Sequence, residues 1–513
     1  MVASSKMAEG PPSTSRDRIS ELPDDVLGHI LSYLPNDEAG RAAALARRWR
    51  DIFGHVHTVS FQETEGERGA DWDTYYYQAT ERKSCSGALL DGINAALLCR
   101  RSAGGHVPLR TFRFAFDDFM PGWDGFHVDQ WLRYILEYAG PELNLDLRFA
   151  IGPICTRTVQ CSVDVNRRTG ADAGNDDYSF SKEGAYLLPR RLFSCATLKT
   201  LCLAHCRLKL LDADSVHLPA LETLRLTSIH HDPGKSIQRL ILSSPRLADL
   251  TLEDIRRLKT LSILPTRLRR FALRCCHNAQ SIHVDASEMV AVEYHGGAPS
   301  KSLLTLHGAP PQGIPLCTVD LCTPVSKNNA KHHAAFRRFL SSFSASKRLH
   351  LHHGRLHTAC LTATDGLPLF PQMTTLVLQG RVESRWFVSA LHNILDRTPN
   401  LEVLSLYMAE KEQGRVTTAS DDGQRDGNDV GVDDPDEASF SATCLRVRIR
   451  KINMVHYDGN ETQRTLARLL FRNANVLERL CVVFTTEYCF PVQTRLRKEI
   501  ESWARAGSKK TFL

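Results

Sequence analysis

Apolar residues along this 513-residue chain follow two periods, and each period predicts a different kind of element. Near the N-terminus they recur every three or four positions, which predicts one face of an amphipathic helix. The members of this stripe are Val26, Leu27, Ile30, Leu31 and Leu34. Farther along, short blocks alternate apolar with polar residues, which predicts half-buried strands. The chain is therefore expected to begin with helices and to continue as an α/β structure.

The alternating blocks repeat at a regular interval. The block Leu198–Cys206 has the spacing Leu-x-x-Leu-x-Leu-x-x-Cys, which is typical of a leucine-rich repeat. Further copies begin at Leu221, Leu247, Leu268 and Met289, so successive starts lie 23, 26, 21 and 21 residues apart. One such unit cannot bury its apolar face alone, and stacked units would form a curved parallel sheet with helical or irregular return segments.

Less regular copies of the strand pattern extend on both sides of these units. They lie at Val56–Phe61, Leu109–Phe114, Leu143–Leu147, Met373–Leu378, Leu401–Leu406 and Leu477–Val482. A helix is predicted over Val128–Tyr138. Cys206 and Cys276 follow repeat strands, and we interpret them as small apolar residues that fill a buried corner. The whole segment 56–408 is thus predicted to be one irregular solenoid.

Strand side chains alternate between two faces, so the residues between the leucines should point to the outer, concave side. This assignment gives a candidate target-binding surface that carries both signs of charge, which suits a protein or charged peptide better than a polyanion. The candidate residues are Arg225, Asp249, Glu253, Arg270, Arg274 and Glu293.

The N-terminal helix lies in a longer motif. Leu22-Pro-Asp-Asp-Val-Leu27 leads into the stripe, Pro35 ends the helix, and a basic helix follows with Leu45-x-x-x-Trp49-Arg50. Residues 17–55 resemble the F-box, a three-helix module that joins a receptor to a cullin-type ubiquitin ligase through a Skp-type adaptor. The resemblance implies adaptor contacts from Leu22, Pro23, Val26, Leu27, Ile30, Leu31, Leu45 and Trp49.

The region after residue 440 carries a second resemblance. Leu466, Leu469 and Leu470 predict a helix, and the following Leu477-Glu-Arg-Leu480 predicts a strand. Residues 440–490 resemble the FBD region of plant F-box/leucine-rich-repeat proteins. We expect a C-terminal helix and tail over 491–513, a disordered tail at 1–16, and a disordered acidic insertion at 409–439, which has almost no apolar content.

The composition and the N-terminus are typical of a protein that is not secreted. The 15 cysteines form no Cys-x-x-Cys pair, no apolar run is long enough to span a bilayer, and the N-terminus lacks a signal-peptide pattern. These features favour reduced thiols in the cytoplasm or nucleus. The sequon Asn460-Glu-Thr462 is accordingly expected to be accidental. A net charge of +6 over this length makes nucleic-acid binding an unfavoured interpretation.

Catalytic and cofactor motifs are missing from the sequence, and neither a cofactor nor a metal site is predicted. His350, His352, His353 and His357 invite a zinc hypothesis, which we disfavour because no cysteine or carboxylate lies nearby at ligand spacing. The expected role is a non-catalytic substrate receptor of a Skp–cullin–F-box ligase. Two alternatives stay open: a receptor whose repeat surface binds a small molecule, such as a hormone, and an interaction scaffold without ligase function.

Overall fold

The computed structural model divides into two compact units, Met1–Ile151 and Gly152–Leu513. The residues that it describes are 19, 21–34, 38, 48, 52–63, 79–102, 108–117, 119, 121–151, 155, 185–210, 216–230, 233–264, 267–300, 302–310, 313–322, 330–352, 367–380, 382, 386–408, 442–485, 490–504 and 507–513. The predicted tail 1–16 and the predicted insertion 409–439 lie outside this part of the chain. Within the described part, no helix has the length and apolar character required to cross a membrane.

Parallel strands and helices make up the described elements. The strands are β1 (Thr58–Gln62), β2 (Leu109–Ala115), β3 (Ala139–Arg148), β4 (Leu198–Ala204), β5 (Thr223–Thr227), β6 (Asp249–Glu253), β7 (Thr260–Ile263), β8 (Arg270–Arg274), β9 (Ser281–Asp285), β10 (Ala291–Gly296), β11 (Leu304–His307), β12 (Leu316–Leu321), β13 (Arg348–His352), β14 (Thr375–Gly380), β15 (Val403–Met408), β16 (Lys451–Tyr457), β17 (Arg479–Phe484) and β18 (Lys509–Phe512). The helices are α1 (Asp24–Leu31), α2 (Ala79–Ser102), α3 (Pro121–Glu137), α4 (Pro233–Leu242), α5 (Ala330–Ser341), α6 (Trp386–Asp396), α7 (Thr443–Val447), α8 (Glu461–Asn473) and α9 (Phe490–Trp503).

In the first unit, β1, β2 and β3 pair in parallel, with Val59 opposite Phe112 and Phe112 opposite Leu145. The inward residues of these strands are aromatic, and they pack on α3. Phe114 lies 5.9 Å from Trp131, ring centroid to ring centroid, in an edge-on arrangement. This aromatic core confirms the strands and the helix that the apolar pattern predicts here.

In the second unit, one parallel sheet runs in the order β4-β5-β6-β8-β10-β12-β13-β14-β15-β16-β17-β18. The register places the repeat leucines opposite one another: Leu201, Leu224 and Leu250 are direct neighbours across three strands. Each of these side chains is at most 1% exposed. The stacked leucines form the continuous core that a solenoid requires, and the predicted α/β repeat architecture is confirmed.

The length of a repeat unit determines whether its return segment forms a helix or a strand. The 26 residues between the starts Leu221 and Leu247 leave room for α4, whereas the two 21-residue units that follow contain only a short return strand each. Strands β7, β9 and β11 pair in parallel and form a separate three-stranded sheet. The central repeats therefore carry strands on both sides, while the later ones return through helices.

Each central repeat turns at a residue in the left-handed region. His205, Ser228, Asp254 and Cys275 directly follow β4, β5, β6 and β8, and their φ angles are 56°, 47°, 48° and 52°. The backbone N–H of each donates to a carbonyl of the next strand in the main sheet. The turn then directs the following residue inward, which explains why Cys206 and Cys276 are buried as the sequence predicts.

The C-terminal region follows the same plan. Helix α8 buries Leu466, Leu469 and Leu470, and β16 and β17 pair on either side of it in the chain. The chain before β16 forms the short helix α7. The segment after α9 forms strand β18, which pairs with β17.

Candidate functional site

Helix α1 has two apolar faces with different roles. Leu27 and Leu31 are 0% and 1% exposed and form a small core with Ile52 and Val56, against which Leu22 packs. These two leucines thus hold the N-terminal module together. Predicted contact residues Leu45 and Trp49 lie outside the described residues.

The adjoining face of α1 and the turn after the helix are apolar and exposed. Val26 is 38% exposed and Ile30 42%, followed by Tyr33 at 77% and Leu34 at 37%. Leu34 belongs to this turn and not to the helix, which ends at Leu31. Pro23 at the helix start is also exposed. An apolar surface of this kind is typical of a protein-docking site.

Polar contacts fix the direction of α1. Asp24 and Asp25 occupy the first helical turn, where their charge is favourable to the helix dipole. The Arg48 guanidinium donates to the Asp24 carboxylate at 2.7 Å and to the Leu22 carbonyl at 2.6 Å. At the other end, a Cβ on Gly28 would lie only 2.9 Å from His55 Cβ, so this glycine permits the close approach of the following chain.

The second candidate site is the outward face of the main sheet, which we call the polar face. It is defined by three rows of residues, and the members of each row stand opposite one another in register. The first row contains Thr223, Asp249, Arg270 and Ala291, the second contains Arg225, Thr251, Ala272, Glu293, Thr318 and His350, and the third contains Thr227, Glu253, Arg274, His295 and Asp320. The alternation read from the sequence assigns these positions to one face.

Many charged side chains on the polar face form ion pairs with side chains of neighbouring strands. The Arg274 guanidinium donates twice to the Glu293 carboxylate, at 2.8 and 2.9 Å, and lies 3.6 Å from Glu253. These carboxylates raise the pKa of Arg274. Glu253 is only 5% exposed and accepts a hydrogen bond from Thr227. Glu253 was predicted to offer an accessible charge, and instead it is covered because it anchors Arg274.

A second group of pairs lies farther along the polar face. The Asp320 carboxylate lies 3.0 Å from His295 Nδ1 and 3.4 Å from His352 Nδ1. His350 Nε2 lies 3.1 Å from Gln379 Oε1. His350 and His352 do share a face of β13, as the alternation predicts, but they are partnered by different strands. His353 and His357 lie outside the described residues.

Two arginines remain well exposed on this face. Arg225 is exposed, and Arg270 has 71% of its side chain exposed while it pairs with Asp249 at 3.5 Å. The structure thus brings together all six predicted residues. Some of these residues are exposed cations, and others are charges paired within the sheet. This distinction depends on the register between strands, so the sequence of one strand alone does not predict it.

One cluster was missed by the sequence analysis. Cys155, Cys275, His277 and Cys322 place their ligand atoms within 4.8 Å of one another, the one such group found among the described residues. The three cysteines are buried. The available signal was Cys275-x-His277 directly after a repeat strand, together with Cys322 directly after β12, one register position beyond Cys275. By contrast, Cys276 is an inert filler, since burial raises the pKa of its thiol to about 12.

Taken together, the fold and these surfaces define a leucine-rich-repeat protein with a small helical module near its N-terminus. Comparison with known proteins agrees with this class. A family model described as F-box-like matches residues 19–56. A model described as FBD-associated F-box protein At5g56370, LRR repeats, matches residues 176–303.

Relatives in Arabidopsis thaliana extend the similarity along the chain. F-box/LRR-repeat protein At4g14103 is 24% identical over 405 residues, which cover 76% of this chain and 92% of the relative. F-box/LRR-repeat protein At4g14096 is 23% identical over 514 residues, which cover 96% and 94%. The chain is thus similar to plant F-box/leucine-rich-repeat proteins along most of its length, and this similarity suggests a protein-interaction or substrate-adaptor role.

Proposed function

We propose that this chain is the non-catalytic substrate-recognition subunit of a Skp–cullin–F-box ubiquitin ligase. The observation that carries the proposal is the division of α1 into a buried face, which holds the module together, and an exposed apolar face. A docking module needs both. The adaptor would bridge to a cullin, and the repeat unit would capture the target in the cytoplasm or nucleus.

Adaptor binding is assigned to the exposed face of α1, with Pro23, Val26 and Ile30 in direct contact. Leu27 and Leu31 would act through the core that orients this face, because they are buried in the chain by itself. Substituting them would therefore disturb the fold of the module as well as its binding. Val26 and Ile30 are the positions at which binding can be tested alone.

The test of adaptor binding is co-purification of the full chain with a Skp-type adaptor. We expect Val26→Asp to lower the affinity at least about tenfold, because a charge would be buried without a partner in the interface. Val290→Asp is the matched control: Val290 is also a valine at 38% exposure, but it precedes β10 in the repeat unit. Equal binding by wild type and Val26→Asp would contradict the assignment.

Target binding is assigned to the polar face and, within it, to the exposed cations Arg225 and Arg270. Arg274 is less suitable as a contact because its guanidinium is held by Glu293 and Glu253. Reversal of its charge would break this pair and disturb the sheet surface. A target that presents an acidic segment would complement Arg225 and Arg270.

The corresponding experiment compares proteins captured from plant cell extract by wild type and by an Arg225→Glu, Arg270→Glu double variant, using quantitative mass spectrometry. We expect the specific partners to fall about tenfold or more while the adaptor is retained. Arg246→Glu is the control, since Arg246 is 66% exposed and pairs with one carboxylate, as Arg270 does. Unchanged capture by the double variant would refute this surface.

A reconstituted ligase assay tests the complete proposal. Purified adaptor, cullin and charging enzymes should ubiquitinate a captured partner only in the presence of this chain. Adaptor binding without any such transfer would instead favour the interaction scaffold. Capture that requires an added small molecule would favour the hormone-receptor alternative.

A further inference from the structure

A buried cluster of three thiols and one imidazole lies in the repeat unit, outside both proposed binding surfaces. Its members are Cys155, Cys275, His277 and Cys322. We infer that these four side chains form a structural zinc site, which joins the segment at Cys155 to the ends of two repeat strands. The site does not depend on the proposed function.

The backbone brings the two strand-end cysteines to opposite sides of β10. Cys275 follows β8 and donates its N–H to the carbonyl of His295, while Cys322 follows β12 and donates to the carbonyl of Gly296. Parallel strands lie about 4.8 Å apart, so these two flanking backbones are about 9–10 Å apart. This separation exceeds the Cα–Cα distance of about 7 Å that a disulfide allows.

A zinc ion bridges a gap of this size. Two thiolates on one tetrahedral zinc are about 3.8 Å apart, given Zn–S bonds of about 2.3 Å. All ligand atoms of the cluster lie within 4.8 Å of one another. Gly296, which lies between the two cysteines, adds no side chain to this space.

The imidazole geometry agrees with the same centre. His277 Nε2 lies 3.4 Å from Cys155 Sγ and 3.7 Å from Cys322 Sγ. A nitrogen and a sulfur on one tetrahedral zinc are about 3.6 Å apart when the bonds are about 2.05 and 2.3 Å. Nδ1 is farther from Cys322 Sγ, at 4.0 Å. The distances therefore select Nε2 as the ligand atom.

The ligand set identifies both the metal and its role. Three thiolates and one imidazole are a common set for structural zinc, and thiolates disfavour the hard cations magnesium and calcium. Four protein ligands close the coordination sphere, so no position remains for a substrate or a reactive water. The ion would act as a cross-link between chain positions 155 and 322.

Elemental analysis of the dialysed full-length protein tests the site. We expect about one zinc per chain in wild type and less than about a tenth of that in Cys322→Ser, because three ligands hold the ion far more weakly. Cys276→Ala is the matched control: it removes the neighbouring buried thiol, which contacts the Leu252 and Arg274 carbonyls, and it should keep the zinc. Chelation of the wild-type zinc should lower Tm by several degrees.

Cobalt substitution distinguishes the site from a folding defect. Wild type loaded with Co²⁺ should show the visible bands of a tetrahedral thiolate site, and Cys322→His should keep a tetrahedral spectrum with weaker sulfur-to-metal charge transfer. Three results would each overturn the inference. They are wild type that binds no zinc after reconstitution with Zn²⁺, a disulfide among the three cysteines, and equal zinc content in wild type and Cys322→Ser. The loss of tetrahedral cobalt bands in wild type would also overturn it.

Discussion

His205 illustrates how the repeat turn changes the chemistry of a single residue. It lies directly after β4 with φ at 56°, and its N–H donates to the Thr227 carbonyl. Burial, together with the nearby His230 and Arg256, lowers the pKa of His205 from 6.5 to about 4. The imidazole is consequently neutral in the folded protein at neutral pH.

We expect His205 to make the protein less stable in acid. Between pH 6.5 and about 4 the unfolded chain binds a proton at this position that the folded chain does not, so the free energy of unfolding falls as the pH is lowered through that window. Because the ring is partly exposed to solvent, the loss should be about 1–2 kcal/mol, less than the full shift implies.

The measurement compares urea unfolding of wild type and His205→Asn at pH 7.5 and pH 4.5. Asparagine tolerates the left-handed conformation but does not titrate, so it isolates the effect of the proton. The variant should lose about 1–2 kcal/mol less on acidification than wild type does. The same loss in both proteins would show that His205 does not contribute.

Single residues were predictable from the sequence where their environment repeats. The alternation identified the inward leucines and the buried Cys206 and Cys276, since burial there depends only on local spacing. It could not identify the Arg274–Glu293 pair or the cysteine cluster. The Arg274–Glu293 pair joins residues 19 positions apart through the register of β8 and β10, and the cluster brings together Cys155 and Cys322, which are 167 positions apart.

At the scale of elements, helix α8 shows a complete N-terminal cap. Asn460 Oδ1 accepts the N–H of Gln463 at 2.8 Å, while Asn460 Nδ2 donates to the Val382 carbonyl at 3.1 Å. Gln463 in turn accepts the N–H groups of Asp458 and Gly459. Both functions of the Asn460 amide are therefore engaged, which gives the sequon at this position a structural role.

We expect Asn460→Ala to lower the free energy of unfolding by about 1–2 kcal/mol, because the cap and the link to Val382 are both lost. Asn460→Ser keeps an oxygen that can accept from Gln463 and adds no charge beside Asp458, so it should cost clearly less. Thermal and urea unfolding of the two variants checks the order. Equal losses would mean that the Val382 contact, and not the cap, provides the stability.

The presence of repeat strands could be predicted from the sequence, but the structure of the return segments could not. The apolar pattern identifies one strand for each unit, because that strand carries the leucines. Whether the return path is a helix or a strand depends on the length left before the next unit and on pairing with neighbouring returns. For this reason β7, β9 and β11 became evident only in the structure.

At the scale of the whole repeat unit, the end of the main sheet needs protection. A solenoid leaves a strand edge open at its end, and short strands with charged residues limit pairing with other molecules. Strand β18 has four residues, begins with Lys509 and Lys510, and covers β17. Phe512 stacks on Phe484 at 6.2 Å between ring centroids, and the Arg497 guanidinium lies 5.0 Å from the centre of the Phe512 ring.

Deletion of residues 507–513 should expose the backbone N–H and C=O groups of β17, whose Leu480 and Val482 are nearly fully buried. We expect a loss of roughly 2–4 kcal/mol in the free energy of unfolding, together with concentration-dependent self-association, because the new edge can pair with another chain. Light scattering after size-exclusion chromatography and thermal unfolding would detect both effects.

Phe512→Ala in the full-length chain separates the two functions of β18. It keeps the strand pairing and removes only the ring contacts with Phe484 and Arg497, so it should cost about 1–2 kcal/mol without self-association. If this variant self-associates as strongly as the deletion, the Phe512 ring protects the edge. If the deletion leaves a monomer of unchanged stability, β18 does not cap the solenoid, and the protection must lie in β17 itself.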